Sequence, residues 1–141
     1  MMLYLYQKRL ASQINEPDGM INVDGSDFPK KGKHSVGVQR QYCGIRGKTE
    51  NCQAGVFIGY SGSKGYGLVD RRLYLPEKWF EEDHRELRKK CGVPEDVTFK
   101  TKVQLASEMI RNVLESGLFQ VRWIGCDSFF GTNKSFLDAI P

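Results

Sequence analysis

Apolar positions along this chain fall into short strand-like runs separated by polar stretches, with one clear helical stripe near the C-terminal third. Residues 1–18 read as a helix closed by the breaker cluster Glu16-Pro17-Asp18-Gly19. Met20-Ile21-Asn22-Val23 then predicts a first strand ending at Asp24. A long polar and basic loop follows, bent at Phe28-Pro29 and kept irregular by Gly32, Gly37, Gly44 and Gly47. Gln53–Tyr60 and Tyr66–Leu75 are rich in strand-forming residues and flank Ser61-Gly62-Ser63-Lys64-Gly65, the pattern of a hairpin that Pro76 ends. Glu81 to Lys90 places acids first and bases last, as a helix dipole favours, and Cys91-Gly92-Val93-Pro94 stops it. Thr101 and Gln104 form a capping box for the clearest helix. Ala106, Met109, Ile110, Val113 and Leu114 share one of its faces, and Gly117 is its stop. Val121–Cys126 is a second strand closed by an acid, Asp127, and a last helix starts near Asn133.

The order strand, hairpin, helix, strand, helix defines an α/β chain. A helix feeding a strand back into the same sheet implies a parallel neighbour. If the last strand lies beside the first, Asp24 and Asp127 end on adjacent strands. A carboxylate at the end of a buried strand is costly, and a divalent metal is a common compensation. Two such acids point to two-metal phosphoryl transfer. The competing reading is local: each Asp accepts backbone N–H bonds and caps the turn that follows it.

Composition narrows the class. With 141 residues, 40% hydrophobic and 27% charged, the chain is expected to fold as one soluble domain. No apolar stretch is long enough to cross a bilayer, and Met1-Met2-Leu3-Tyr4-Leu5-Tyr6 is too short for a signal-peptide core, so a cytoplasmic location is expected. Cys43, Cys52, Cys91 and Cys126 form no C-x-x-C pair and are expected to be free thiols, buried or half-buried. The net charge of +4 is mild, but Lys30, Lys31, Lys33, Arg40, Arg46 and Lys48 lie together with a single acid, Glu50, which suits a phosphate backbone or a solvated basic loop. Gly47-Lys48-Thr49 lacks the earlier glycine of a phosphate-binding loop, since Tyr42 stands there. Gly62, Gly65 and Gly67 serve a turn rather than a dinucleotide fingerprint, and neither His34 nor His84 sits near a nucleophile elbow.

Longer segments carry more information. Val23-Asp24-Gly25-Ser26-Asp27-Phe28-Pro29-Lys30-Lys31-Gly32-Lys33-His34-Ser35-Val36-Gly37-Val38-Gln39-Arg40-Gln41-Tyr42-Cys43-Gly44 resembles bacterial insertion-sequence DDE transposases, in particular the insertion sequence seven-hundred-and-one group. The similarity continues through Gly47–Phe57, Asp70-Arg71-Arg72-Leu73-Tyr74-Leu75-Pro76, Gly92-Val93-Pro94 and Cys126-Asp127-Ser128-Phe129-Phe130-Gly131. The resemblance implies a ribonuclease-H-like mixed sheet with helices, in which three acids hold two Mg²⁺ (or Mn²⁺) ions for cutting and rejoining DNA at transposon ends. Asp24 and Asp127 match the first and second acids. Lys30, Lys31, Lys33, Arg40, Arg46, Lys48, Arg71 and Arg72 match positions suited to the DNA backbone.

The family's third acid, a Glu on a downstream helix, has no counterpart before Pro141. The resemblance therefore implies residues 20–141 as the front part of a catalytic domain, incomplete on its C-terminal side, behind an N-terminal helix or remnant at 1–19. The expectations are weak metal binding, no cleavage by this chain alone, and Phe129, Phe130, Phe136 and Leu137 partly exposed. Duplex DNA is the expected partner, in a bacterial cytoplasm at the nucleoid and with no membrane. A non-catalytic DNA-binding fragment that modulates full-length transposase is the alternative. A third is a small nuclease that completes its site across a homo-oligomer.

Overall fold

The computed structural model describes residues 2–140. In chain order the elements are α1 (Met2–Ile14), β1 (Met20–Pro29), β2 (Gln39–Cys43), β3 (Lys48–Gly62) and β4 (Gly65–Tyr74). Two 3₁₀ turns, Glu77–Phe80 and Glu82–His84, lead to α2 (Arg85–Lys90). Next come α3 (Lys102–Ser116), β5 (Trp123–Cys126), α4 (Ser128–Gly131) and α5 (Lys134–Ala139). The strands form one five-stranded sheet in the order β2-β3-β1-β5, with β4 also paired to β3. The β1–β5 pair is parallel and the β2–β3 pair antiparallel, so the sheet is mixed, as a ribonuclease-H-like α/β fold requires.

The chain divides into two compact units. Unit 1 takes residues through Asp24, then Val56–Arg72, then everything from Val103. Its core is the face carrying Ile21, Val23, Val56, Ile58, Tyr60 and Val69, with Leu105, Ala106, Met109, Ile110 and Val113 of α3 also buried. The helical stripe read from the sequence is thus the buried stripe, apart from Leu114, which is half-buried. Gly117 ends α3 with φ +69°, a conformation that disfavours any side chain. Helix α1 covers the β4 backbone: Tyr6 Oη donates to the Leu68 carbonyl at 2.5 Å, and Gln7 Nε2 to that of Val69 at 3.0 Å. These bonds satisfy carbonyl groups that would otherwise invite a foreign strand.

One buried hydroxyl ties the entries of β1 and β5. Tyr60 Oη donates to the Gln120 carbonyl at 2.7 Å and accepts the Glu16 amide at 3.2 Å. Asn15 Oδ1 accepts the Gln120 amide at 2.7 Å, and the Gly19 carbonyl accepts the Arg122 amide at 2.9 Å. Gly19 is required by close approach, since a Cβ there would fall 1.8 Å from the Tyr60 hydroxyl oxygen. Glu16 also reaches the two-residue β3–β4 turn, where its carboxylate accepts from the amide and hydroxyl of Ser63.

Unit 2 comprises Gly25–Gly55 and Leu73–Lys102. Its centre is Trp79, wholly buried, whose Nε1 donates to the Val38 carbonyl at 2.8 Å. Arg88 Nη1 binds the Trp79 and Glu81 carbonyls at 2.7 and 2.8 Å, fastening α2 to the 3₁₀ turns. Cys43 and Cys52 are fully buried, and burial, reinforced by Cys43 and Asp27, pushes the Cys52 thiol up to about 11.

Several expectations change. β1 runs to Pro29 rather than stopping at Asp24, and the stretch read as a basic loop holds β2 and the start of β3. Its apolar content is too low to announce a strand; pairing with β3 supplies what the pattern lacks. Only the second half of Glu81–Lys90 is α-helical. Phe130 and Phe136 are buried, stacked at 5.5 Å between α4 and α5, whereas Phe129 and Leu137 are exposed as expected. Cys126 is exposed, not buried.

Two outcomes follow for stability. Tyr60→Phe strands the Gln120 carbonyl and the Glu16 amide, and should cost about 1–3 kcal/mol in urea unfolding while the fold is kept. The Cys52 thiol, with its folded pKa above the unfolded value, adds stability that is complete below the unfolded pKa. It is lost as pH rises through the folded value near 11, so Cys52→Ala should flatten the alkaline limb of the stability profile.

Candidate functional site

Both singled-out acids lie in unit 1, Asp24 within β1 and Asp127 one residue past β5. The parallel register pairs Met20 with Trp123, Ile21 with Ile124, Asn22 with Gly125 and Val23 with Cys126. Asp24 and Asp127 are the residues that follow the last of these pairs. Alternation along β1 buries Ile21 and Val23 and turns Met20, Asn22 and Asp24 to the opposite face. Asn22 Nδ2 donates to Ser61 Oγ at 2.9 Å on β3, which fixes the β1 side chain just before Asp24. Gly125 leaves room here: a Cβ would meet Met20 Sδ at 3.3 Å and Asn22 Oδ1 at 3.4 Å.

Burial is not what marks these two acids, contrary to expectation. Asp24 and Asp127 are both exposed, so no burial penalty demands a cation between them. What recommends the pair is position: each is a hard oxygen donor that directly follows one member of the last β1–β5 pair. That donor set fits Mg²⁺, which binds through one or two carboxylates and keeps several waters. Among the described residues, no group of three or more His, Cys, Asp or Glu side chains gathers to hold a metal.

The capping reading is also realised. Asp127 is extended (φ −79°, ψ 179°) and its Oδ1 accepts the Phe130 amide at 3.3 Å, so it is the N-cap of α4. The cap engages one carboxylate oxygen and leaves lone pairs on the other. Asn133 caps α5 in the same way through the Phe136 amide at 2.9 Å.

The predicted bases fall in both units. In unit 1, Arg72 Nη1 binds Glu108 at 3.2 Å, and Arg71 Nη1 lies 3.7 Å from Asp70. Asp70 is 3% exposed, and its carboxylate also accepts the Arg71 amide at 2.8 Å, so it is a buried acid that pattern reading passed over. In unit 2, Arg46 and Lys48 each lie 3.7 Å from Glu50. Lys30, Lys31, Lys33 and Arg40 are exposed and form no ion pair among the described residues. The free cations are therefore the four in unit 2 rather than all eight. Sequence reading also missed Tyr42 and Ile45, exposed apolar residues next to these bases; a four-residue Gly44–Gly47 connection between two alternating segments was their signal.

The two roles of Asp127 separate by substitution. Asp127→Ala removes the cap and should cost about 0.5–2 kcal/mol. Asp127→Asn keeps an acceptor for the Phe130 amide and should cost less than half as much, while removing the charge that a cation needs. Urea melts of the two variants check this.

A family model described as DDE superfamily endonuclease matches residues 5–140, nearly the whole chain and both acids. No curated protein and no solved structure matches the chain. The family uses divalent metal ions and acts on DNA. Among the described residues, no helix is long and apolar enough to cross a membrane. The chain belongs to the DDE superfamily endonuclease family.

Proposed function

We propose that this chain carries the first two carboxylates of a DDE transposase site, Asp24 and Asp127, for DNA cleavage and strand transfer at insertion-sequence ends in the bacterial cytoplasm. The observation that supports it is the parallel register that pairs Val23 with Cys126, the residues just before Asp24 and Asp127. Asp24 and Asp127 would hold Mg²⁺ or Mn²⁺ weakly, and such an ion supplies Lewis-acid stabilisation of phosphoryl oxygens when bound. The chain's own part is geometric. The sheet keeps two carboxylates at a fixed spacing, and Asn22 with Ser61 holds the adjoining face. Gly125 keeps the approach open between Met20 and Asn22.

Two carboxylates leave a second metal poorly held, so the chain alone does not cut DNA. A third acid supplied by another copy or by a full-length transposase would complete the site. Purified protein should leave supercoiled plasmid intact in Mn²⁺ over hours. Nicking that disappears in Asp24→Asn would overturn the inactivity while supporting the site.

The four predicted bases without an ion pair among the described residues, Lys30, Lys31, Lys33 and Arg40, favour a second reading, a non-catalytic DNA-binding fragment that modulates full-length transposase. Phosphate-driven binding weakens steeply with salt, by a log–log slope of about −0.9 per phosphate neutralised. A slope between about −2 and −4 is expected from these bases. Binding indifferent to salt would contradict the reading.

A further inference from the structure

The segment Gly25–Gly55 contains six Lys or Arg residues and two acids, while the rest of the chain balances fifteen bases against fifteen acids. The whole net charge of +4 thus belongs to this one segment of unit 2. It is built around the β2–β3 hairpin, with Gln39 opposite Cys52, Arg40 opposite Asn51, Tyr42 opposite Thr49 and Cys43 opposite Lys48. Gly44-Ile45-Arg46-Gly47 forms the tip, closed by Arg46 N–H to the Cys43 carbonyl at 3.1 Å and Gly47 N–H to the Gly44 carbonyl at 3.2 Å. Gly47 has φ +66°, which a residue with a side chain would resist.

The hairpin has a bound side and a free side. Cys43 and Cys52 are buried, Gln41 Nε2 donates to the Cys52 carbonyl at 2.9 Å, and Asp27 Oδ2 accepts the Gly44 amide at 2.8 Å. By alternation Arg40 and Tyr42 project the other way, and Tyr42 is 64% exposed. Ile45 at the tip is 72% exposed. Asn51, opposite Arg40, gathers the remaining charge: its Nδ2 donates to the Lys30 carbonyl at 2.8 Å and the Gly32 carbonyl at 2.7 Å. The Lys30–Gly32 backbone is thereby stapled to the stem at the level of Arg40. The result is a ribbon with free cations at its stem and two exposed apolar side chains toward its tip, Tyr42 about 7 Å along the strand from Arg40.

We propose that the β2–β3 hairpin is an arm that enters the major groove of duplex DNA, with Lys30, Lys31, Lys33 and Arg40 on the phosphates and Tyr42 and Ile45 against base edges. The inference rests on DNA as partner and adds the element and the groove. The major groove is about 12 Å wide and admits a two-stranded ribbon as it stands, whereas the minor groove, at about 6 Å, takes one only in a duplex that is deformed. Phosphate contacts from the stem would orient the arm, and apolar contact toward the tip meets groups such as the thymine methyl. A second copy of the chain is a poor occupant, because its matching segment carries the same positive charge.

The test uses the full chain and an end-labelled duplex of mixed sequence, read by fluorescence anisotropy across a salt series. Tyr42→Ser/Ile45→Ser should weaken binding about five- to tenfold with an unchanged salt slope, because no ionic contact is lost. Lys31→Ala/Arg40→Ala should make the slope shallower by about 1.8, two phosphates' worth. Methyl green, a major-groove ligand, should compete with the protein, and netropsin, a minor-groove ligand, should not. All four positions are exposed, and far-UV circular dichroism checks that each variant folds. The arm is overturned if the serine pair binds like the parent chain, if netropsin is the competitor, or if the serine pair changes the sedimentation of the free protein. Absence of any duplex binding by the parent chain would remove the DNA-partner reading itself, along with the arm.

Discussion

The parallel pairing of β1 with β5 is the constraint on which the functional face depends. The two strands are distant in sequence, and their register pairs Val23 with Cys126, the residues just before Asp24 and Asp127. A slip of one residue would turn Asp127 away from Asp24 and bury the wrong face of β5. The register is set at the strand entries, where the Tyr60 hydroxyl, the Asn15 amide oxygen and the Gly19 carbonyl join the segment before β1 to the segment before β5. These are neutral hydrogen bonds around a fully buried ring. They hold because Gly19 has no side chain to displace that ring. Function at one end of the strands thus depends on packing at the other.

Charge is divided between the units as sharply as the acids are. Unit 1 holds the carboxylate pair and balances its charges, while unit 2 holds the whole net positive charge in one hairpin segment. Arg71 and Arg72, which pattern reading placed with the DNA-binding bases, are engaged with Asp70 and Glu108. Asp70 is buried and the Arg72–Glu108 pair is half-buried, so both arginines are held by the fold.

Much of the fold was legible because buried faces leave periodic traces. The α3 stripe, the β3–β4 hairpin, the start of β1 and the β5 strand all appear as spacing. The β2 strand did not, because Gln39-Arg40-Gln41-Tyr42-Cys43 buries only its last side chain, so its alternation lacks a hydrophobic signature. The 3₁₀ turns around Trp79 were hidden for a different reason: they are held by tertiary bonds from Arg88 and Val38 rather than by local propensity. For the site, the residues were readable and the reason was not. Asp24 and Asp127 are exposed, so their pairing is a matter of register rather than of compensated burial. The cap that Asp127 gives α4 shows that a strand-end acid can serve a turn and a site at once.

The central claim is that Asp24 and Asp127 act as one cation site, and Mn²⁺ titration of the ¹⁵N-labelled protein tests it most directly. Paramagnetic broadening should strike the amides of Asp24, Gly25, Asp127 and Ser128 together, and Asp24→Asn should relieve it at both strands. Broadening confined to one strand, or centred on acids elsewhere in the chain, would contradict the account.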